Sequence, residues 1–279
     1  MKRDPDLAMS FARTEYFNML MKNNIIAVKH IMETPQQFNN PPEIMFSEKQ
    51  IAIIVRSLLK LALNSAVQAE LPDIDQYAKN FMIEREKGDL TSQEYALLYL
   101  YANLHSAGTK YSPSEYELFK KRNAYSCHPG GLSPLILAEH FISPGSVSAD
   151  LGAGNGLQGL LLQCLYPHRK TLQIEISTEL IRVGRIFQKI LGISDDRIEW
   201  VHDDIVNVSL EAVDFIYLYR PVRPLEGGKE VYHIIANKLS AINKSFVVFS
   251  VADCLAEFLD KRFSIFYSDG HLTCYKFSP

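Results

Sequence analysis

The chain has little of what would mark it as an extracellular, metal-bound or membrane protein. Only four cysteines occur in 279 residues (Cys127, Cys164, Cys254 and Cys274), far apart, with no C-x-x-C pair and no Cys/His cluster at metal-ligand spacing. That excludes a disulfide scaffold and supplies no zinc motif, so reduced thiols and no bound metal are expected. An excess of one charge is also missing. The 29 basic and 32 acidic residues leave a formal net charge of −3, and the pI is near 6.3. A polyanion binder more often carries a basic excess, which tilts the expected partner towards a small molecule over RNA or protein. Long hydrophobic runs are absent too. The most apolar stretch, residues 51–67, is interrupted by Arg56 and Lys60 and is shorter than the ~20 residues of a spanning helix. It reads as a buried or oligomer-forming helix. The N-terminal MKRDPDLAMSFARTEYF has no apolar signal core. The expectation is a cytoplasmic protein with no membrane segment.

What is present divides into two regions. Hydrophobic residues make up 47% of the chain, enough for a proper core, and the length suits two domains of about 100–200 residues or one with a long extension. Residues 1–123 read as helix throughout. Apolar side chains in 11–31 and 48–70 recur every three or four residues, the spacing of one buried helix face. Thr91-Ser92-Gln93-Glu94 and Ser112-Pro113-Ser114-Glu115 each fit a capping box, in which the first and fourth residues satisfy each other's free amides. Breaks are expected at Asn39-Asn40-Pro41-Pro42, at Leu71-Pro72 and at Gly88.

Beyond residue 145 the rhythm becomes strand then helix. Apolar runs at 146–151, 171–176, 197–202, 213–219 and 245–251 alternate with helical stretches at 157–166, 178–191 and 228–243. Short, nearly continuous apolar strands between helices imply a parallel sheet covered on both faces. The runs 263–268 and 271–277 flank Asp269-Gly270, a pair that favours a two-residue hairpin turn with positive φ at both positions. The expected fold is therefore α/β: a doubly wound, seven-stranded, mostly parallel sheet with a C-terminal antiparallel hairpin. A helical N-terminal domain (1–123) precedes this second domain (124–279).

The chemistry-bearing signal is Asp150-Leu151-Gly152-Ala153-Gly154-Asn155-Gly156, after the first strand and before a helix. Glycines let the backbone turn sharply and approach a ligand where a side chain would collide, and the helix N-terminus offers unpaired amides and a positive dipole end. Glu175 ends the second strand, where a carboxylate can accept both hydroxyls of a ribose lying across the sheet edge. Asp203-Asp204-Ile205 follows the third strand. There a carboxylate can accept from an adenine amino group while Ile205 packs on the ring.

Taken together, these stretches resemble class I S-adenosylmethionine-dependent methyltransferases. D-L-G-A-G-N-G looks like their D-x-G-x-G-x-G signature, Q-I-E-I their second strand, and W-V-H-D-D-I their third-strand ending. V-D-F-I-Y-L-Y-R-P looks like their fourth strand and the loop beside the methyl group. The terminal hairpin is also a family feature. The likeness covers roughly residues 125–279. It implies S-adenosylmethionine as cofactor, with Gly152, Ala153 and Gly154 on the methionine part, Asp150 on its amino group, Glu175 on the ribose and Ile176 beside the adenine. Asp204 would take the adenine amino group. Asp203 stands where the family often has glycine, so either aspartate is open. Residues 125–134 resemble the family's approach to the first strand, a loop and helix that close over the methionine end.

Gly154-Asn155-Gly156-Leu157-Gln158-Gly159 also matches G-x-G-x-x-G, the dinucleotide fingerprint, with Glu175 as the ribose acid. An NAD-dependent oxidoreductase is the competing reading. Against it stand Asp150 ahead of early glycines, the acidic pair after strand three, and the hairpin. A non-catalytic S-adenosylmethionine-binding sensor is a third reading, and aminopropyl transfer a fourth. Methyl transfer to a nucleophile needs alignment more than a strong base. Candidates at the transferred methyl are Tyr219, Arg220, which could grip an acidic acceptor, and His128 as a base. Tyr219-Arg220-Pro221 is not the N/D-P-P-Y/F motif, which disfavours amino-group methylation of bases or glutamine. Residues 1–123 are expected to cover the acceptor site, to mediate homodimerisation, or both.

Overall fold

A computed structural model describes residues 47–108, 111–125 and 129–279. The helical reading of 11–31 and the break at 39–42 lie outside these residues. Within them, α1 (Glu48–Ala62) starts at a capping box formed by Ser47 and Gln50, whose side chains each accept from the other's backbone amide. Ile54, Val55, Leu58, Leu61 and Ala62 form its buried face. After α2 (Ser65–Glu70), Leu71 ends the helix as the Leu71-Pro72 break predicts. Next, α3 (Ile74–Lys87) stops at Gly88, φ 79°.

The capping box expected at Thr91 and Glu94 is not the one used. Asp89 caps α4 (Leu90–His105) instead, its carboxylate accepting from Ser92 N at 3.1 Å. An aspartate one residue before the helix reaches the same free amides. The second box holds: Ser112 and Glu115 cap each other at the start of α5 (Pro113–Arg122). The short α6 (Ser133–Leu137) leads towards the sheet.

The strands are β1 (Val147–Leu151), β2 (Lys170–Glu175), β3 (Ile198–His202), β4 (Phe215–Tyr219), β5 (Phe246–Val251), β6 (Phe263–Ser268) and β7 (Leu272–Phe277). The helices α7 (Leu157–Leu165), α8 (Thr178–Leu191) and α9 (Glu226–Ser240) connect them. The order is β3-β2-β1-β4-β5-β7-β6, with β1 to β5 parallel and β7 antiparallel to both neighbours. This is the doubly wound, seven-stranded sheet the sequence predicts.

The hairpin differs in one detail: its loop has three residues, and only Gly270 takes positive φ (85°). The Asp269 carboxylate accepts from the amides of His271 (2.8 Å) and Leu272 (2.7 Å), so Asp269 itself can stay at negative φ.

Side chains alternate across the sheet. Val147, Ala149, Ile216 and Leu218 pack against Val231, Tyr232 and Ile235 of α9. Phe215, Tyr217 and Phe249 face the other side, in one cluster with Leu160 of α7 and Phe187 of α8. The N-terminal helices join that second cluster through Leu58, Leu100 and Leu104. Each such buried side chain contributes about 1.5–3 kcal/mol. The order in which strands are added reverses between β1 and β4, and a crevice opens at the carboxyl ends of those strands.

Candidate ligand-binding cleft

The crevice is a cleft of about 940 Å³ counted to its open mouth. Its floor is the turn after β1. Gly152 (φ 81°) and Gly154 (φ 60°) adopt backbone that L side chains rarely take. The amides of Gly152 and Ala153 both donate to Ile174 O, at 3.0 and 2.9 Å. A Cβ on Gly152 would lie 3.1 Å from Pro221, so the turn and the loop after β4 are closely apposed. Gly152, Ala153 and Gly154 all line the cleft. Gly156 does not: a Cβ there would meet the Trp200 ring at 2.4 Å, and its role is packing beneath β3.

Two carboxyls lie in the cleft wall. Glu175 is buried, accepting Gly154 N at 2.8 Å on one oxygen and Ser177 N at 2.9 Å on the other. Asp150 is buried beside it. Burial pushes the Asp150 carboxyl up to about 8; the Glu175 charge adds to this, and the Gly159 amide opposes it. Burial likewise raises Glu175 to about 7, against the pull of its backbone amides. Among the described residues neither carboxyl has an ion-pair partner. A cationic or hydroxyl-rich ligand suits such a wall.

At the far side, Ile176, Asp204 and Ile205 line the cleft. Asp204 pairs with Arg122 Nη2 at 2.7 Å and accepts from Val206 N at 3.2 Å. Asp203 is exposed and turned into its own loop, accepting from Asp204 N and Asn207 Nδ2 at 2.7 and 2.8 Å. These bonds hold its carboxyl below the usual range. Of the two aspartates, only Asp204 reaches the cleft.

Tyr219 and Arg220 also line the cleft. Tyr219 meets the His271 ring edge-on at 6.1 Å between centroids. Arg220 has φ 31°, a strained conformation for a non-glycine residue, and its Nε is buried without a hydrogen-bond partner. His128 lies outside the described residues.

Several lining residues escape a reading of local pattern. Phe119 and Arg122 of α5, with Tyr125, roof the cleft. That roof is sewn to the loop after β4: Tyr125 N donates to Pro221 O at 3.1 Å and Arg223 N to Asn123 O at 2.9 Å. Arg223 stacks over the Tyr125 ring at 4.7 Å. Glu115 ties the start of α5 to the Glu175 end of β2, accepting from Ser177 Oγ at 2.8 Å. His105 lines the cleft from α4, and burial lowers its pKa to about 4, which keeps the ring neutral. Asn155 of the glycine turn hooks the same helix end, its amide donating to Leu104 O at 2.9 Å and His105 O at 3.1 Å. Tyr217 and Gln158 complete the closed end. Two signals could have exposed them: Tyr217 shares its strand face with Tyr219 two residues on, and Gln158 is polar in the apolar run of α7.

Matched against known protein families and against curated proteins, the chain finds no counterpart in either. Solved structures do resemble it over about half its length. An RNA methyltransferase from Salinibacter ruber, in complex with S-adenosyl-L-homocysteine, is similar at 18% identity over 52% of this chain and 88% of that one, TM-score 0.41. TrmN from Thermus thermophilus is similar at 16% identity over 51% and 48%, TM-score 0.41. Geranyl diphosphate C-methyltransferase from Streptomyces coelicolor is similar at 16% identity over 42% and 43%, TM-score 0.35. At these scores the likenesses decide nothing about activity.

Proposed function

We propose that this chain binds S-adenosylmethionine and transfers its methyl group to a small-molecule acceptor. One observation carries the reading: Asp150, Gly152, Glu175 and Asp204, contributed by three successive strand ends, line a single cleft at the point where the sheet reverses. The donor set fits the cofactor. Each Glu175 oxygen accepts one backbone amide and keeps a lone pair for a ribose hydroxyl. Asp204 can accept from the adenine amino group, with Ile176 and Ile205 beside the ring. Asp150, without an ion-pair partner among the described residues, suits an ammonium, and Gly152 admits the chain of the ligand where a side chain would meet Pro221.

When bound, the cofactor supplies a sulfonium-activated methyl group, and the protein's task is to align an attacking atom and keep water out. Tyr219 and Arg220, at the tip of β4, are positioned to orient the acceptor. The strain at Arg220 supports a role in gripping an acidic group. Residues 113–125 serve as a roof over the cleft, so on this reading the described part of the N-terminal region covers the site. Among the described residues no group of three or more His, Cys, Asp or Glu could hold a metal, and no helix is long and apolar enough to cross a membrane.

The dinucleotide reading retains one favourable observation: a Cβ on Gly159 would meet Gln173 at 2.4 Å, the close helix–strand packing that the third glycine of G-x-G-x-x-G allows. It gives Asp204 and the closing hairpin no part. Calorimetric titration of the full chain with S-adenosylmethionine and with NAD discriminates the two. Tighter binding of the methyl donor is expected, and tighter binding of NAD overturns the reading. Slow release of S-adenosylhomocysteine on addition of cell extract is expected of an enzyme; tight binding without turnover identifies a sensor.

A further inference from the structure

The charges that line the cleft are segregated along it. At the tips of β1 and β2, Asp150 and Glu175 have no ion-pair partner among the described residues, and beyond β3 Asp204 is neutralised by Arg122 at 2.7 Å. At the tip of β4 the sign inverts. Arg220 lines the cleft, and among the described residues it joins no ion pair. The polar groups around its guanidinium are Cys254, Tyr125 and Tyr232, a thiol and two phenols with no carboxylate among them. Its Nε is buried without a hydrogen-bond partner. Buried polar atoms are nearly always paired, and a desolvated cation needs an opposite charge. A guanidinium with an unmet N–H at the wall of an open cleft is therefore the complement of an anion that arrives with the ligand.

The backbone holds this side chain in place against its own preference. Arg220 has φ 31° and is followed by Pro221, and a residue before proline is pushed towards extended backbone. The roof keeps it there: Ala124 bridges Val222, and Tyr125 N donates to Pro221 O at 3.1 Å. The adjoining lining is apolar. Phe119, Val222 and Val231 are each at most 9% exposed, and the Tyr125 ring is braced by Arg223 at 4.7 Å. Such walls suit a ligand with one charged head and an apolar body. The planar guanidinium offers Nε–H and an Nη–H side by side, which matches the two coplanar oxygens of a carboxylate. One cation balances one negative charge, whereas a phosphate dianion would leave a charge uncompensated among apolar side chains. A polynucleotide is held by many phosphate contacts to exposed cations, and here the unmet donor is buried.

We propose that the acceptor is a small monocarboxylic acid with an apolar or aromatic body. Arg220 holds its carboxylate through Nε and one Nη, and Phe119, Tyr125, Val222 and Val231 enclose the rest. The inference rests on the methyl-transfer reading and names the substrate class of that same site, with Arg220 as the residue that selects it.

The test is a ligand-observed NMR titration of the full chain saturated with S-adenosylhomocysteine. The probes are 3-phenylpropionate, its uncharged isostere 3-phenylpropionamide, 2-phenylethyl phosphate and a short single-stranded RNA. The carboxylate is expected to bind about ten-fold tighter than the amide, and tighter than the phosphate or the RNA. Arg220→Gln should bring acid and amide within about two-fold of each other, and Arg220→Lys, which keeps the charge without the fork, should retain part of the preference. Phe119→Ala should weaken acid and amide alike and leave their ratio unchanged. Should Arg220→Gln fail to fold, Arg220→Gly relieves the positive φ and should lose the same preference. Binding of S-adenosylhomocysteine by each variant reports an intact fold. Failure of the acid to bind, equal binding of acid and amide, tighter binding of the phosphate or the RNA, or a ratio that Arg220→Gln and Arg220→Gly leave unmoved overturns the carboxylate pocket and leaves the cofactor reading standing. A wild type that does not bind S-adenosylhomocysteine overturns the methyl-transfer reading instead, and the same ratios measured without it still decide the Arg220 pocket.

Discussion

Ser148 and Asp150 lie two residues apart on one face of β1, and their surroundings are opposite. Ser148 sits in a closed polar cluster. Its hydroxyl is 2.8 Å from His168 Nε2 and 2.9 Å from Thr171 Oγ1, and Gln163 Nε2 donates to Thr171 Oγ1 at 3.0 Å. The His168 Nδ1 is 2.6 Å from Tyr166 O, and Arg197 binds the Gln163 side-chain oxygen. Asp150, by contrast, lies among polar atoms that are buried and unpaired, Gln158 Nε2 and Tyr217 Oη. Buried polarity at the amino ends of the strands is satisfied within the scaffold; on the proposed reading, that at the carboxyl ends serves a ligand. Around Ser148 and Asp150 the difference lies in the satisfaction of hydrogen bonds, and an unmet buried group costs stability.

The comparison is sharpest under mutation. Gln163→Ala should have the largest effect, removing partners from His168, Thr171 and Arg197 together. Chemical denaturation should register a loss of about 2–4 kcal/mol, with the affinity for S-adenosylhomocysteine in the surviving folded fraction unchanged. A comparable loss of affinity would break the distinction between the two ends.

Asp150→Asn should do the reverse, strengthening the fold while weakening binding by ten-fold or more. The Asp150 carboxyl stands at about 8 in the folded chain against 3.8 in its absence, and Glu175 at about 7 against 4.5. Between those values the folded state holds more protons than the unfolded one, so stability falls as pH rises from about 4 to about 8. Asn at 150 should remove its share of that slope. At pH 8 it should add at least the ~1.4 kcal/mol of one pK unit, read as a higher denaturation midpoint. A slope unchanged in the variant would mean that Asp150 is ionised throughout.

A smaller effect is expected at the roof. Arg122→Ala breaks the half-buried pair with Asp204 and loosens α5, weakening S-adenosylhomocysteine by about three- to ten-fold, 0.6–1.4 kcal/mol. Tighter binding would instead identify Arg122 as a competitor for the adenine carboxylate. Asp203→Ala should change least, leaving affinity within two-fold, since its carboxylate faces its own loop. A large loss by calorimetry would return Asp203 to the adenine site.

Much of this molecule could be read from local pattern. Strand and helix periodicity fixed the sheet and its final hairpin, and the acids at 150, 175 and 204 stood out because each lies within two residues of the end of a strand whose tip must lie on the same edge. Local pattern failed where two residues compete for one task. Asp89 displaced Thr91 as a cap by reaching the same amides first, and Asp204 took the cleft while Asp203 served its own turn.

Sequence alone therefore determined the α/β architecture, the glycine turn and the carboxylates that border it, since all depend on backbone periodicity and on the fixed edge at which parallel strands end. Only tertiary structure decided that Arg122, Tyr101 and His105 of the N-terminal helices meet Asp204, Gln158 and Gly154. Those partners are separated by roughly fifty to eighty positions along the chain. Nothing in the spacing of residues records such a meeting; it follows from which apolar faces the helices bury and against what.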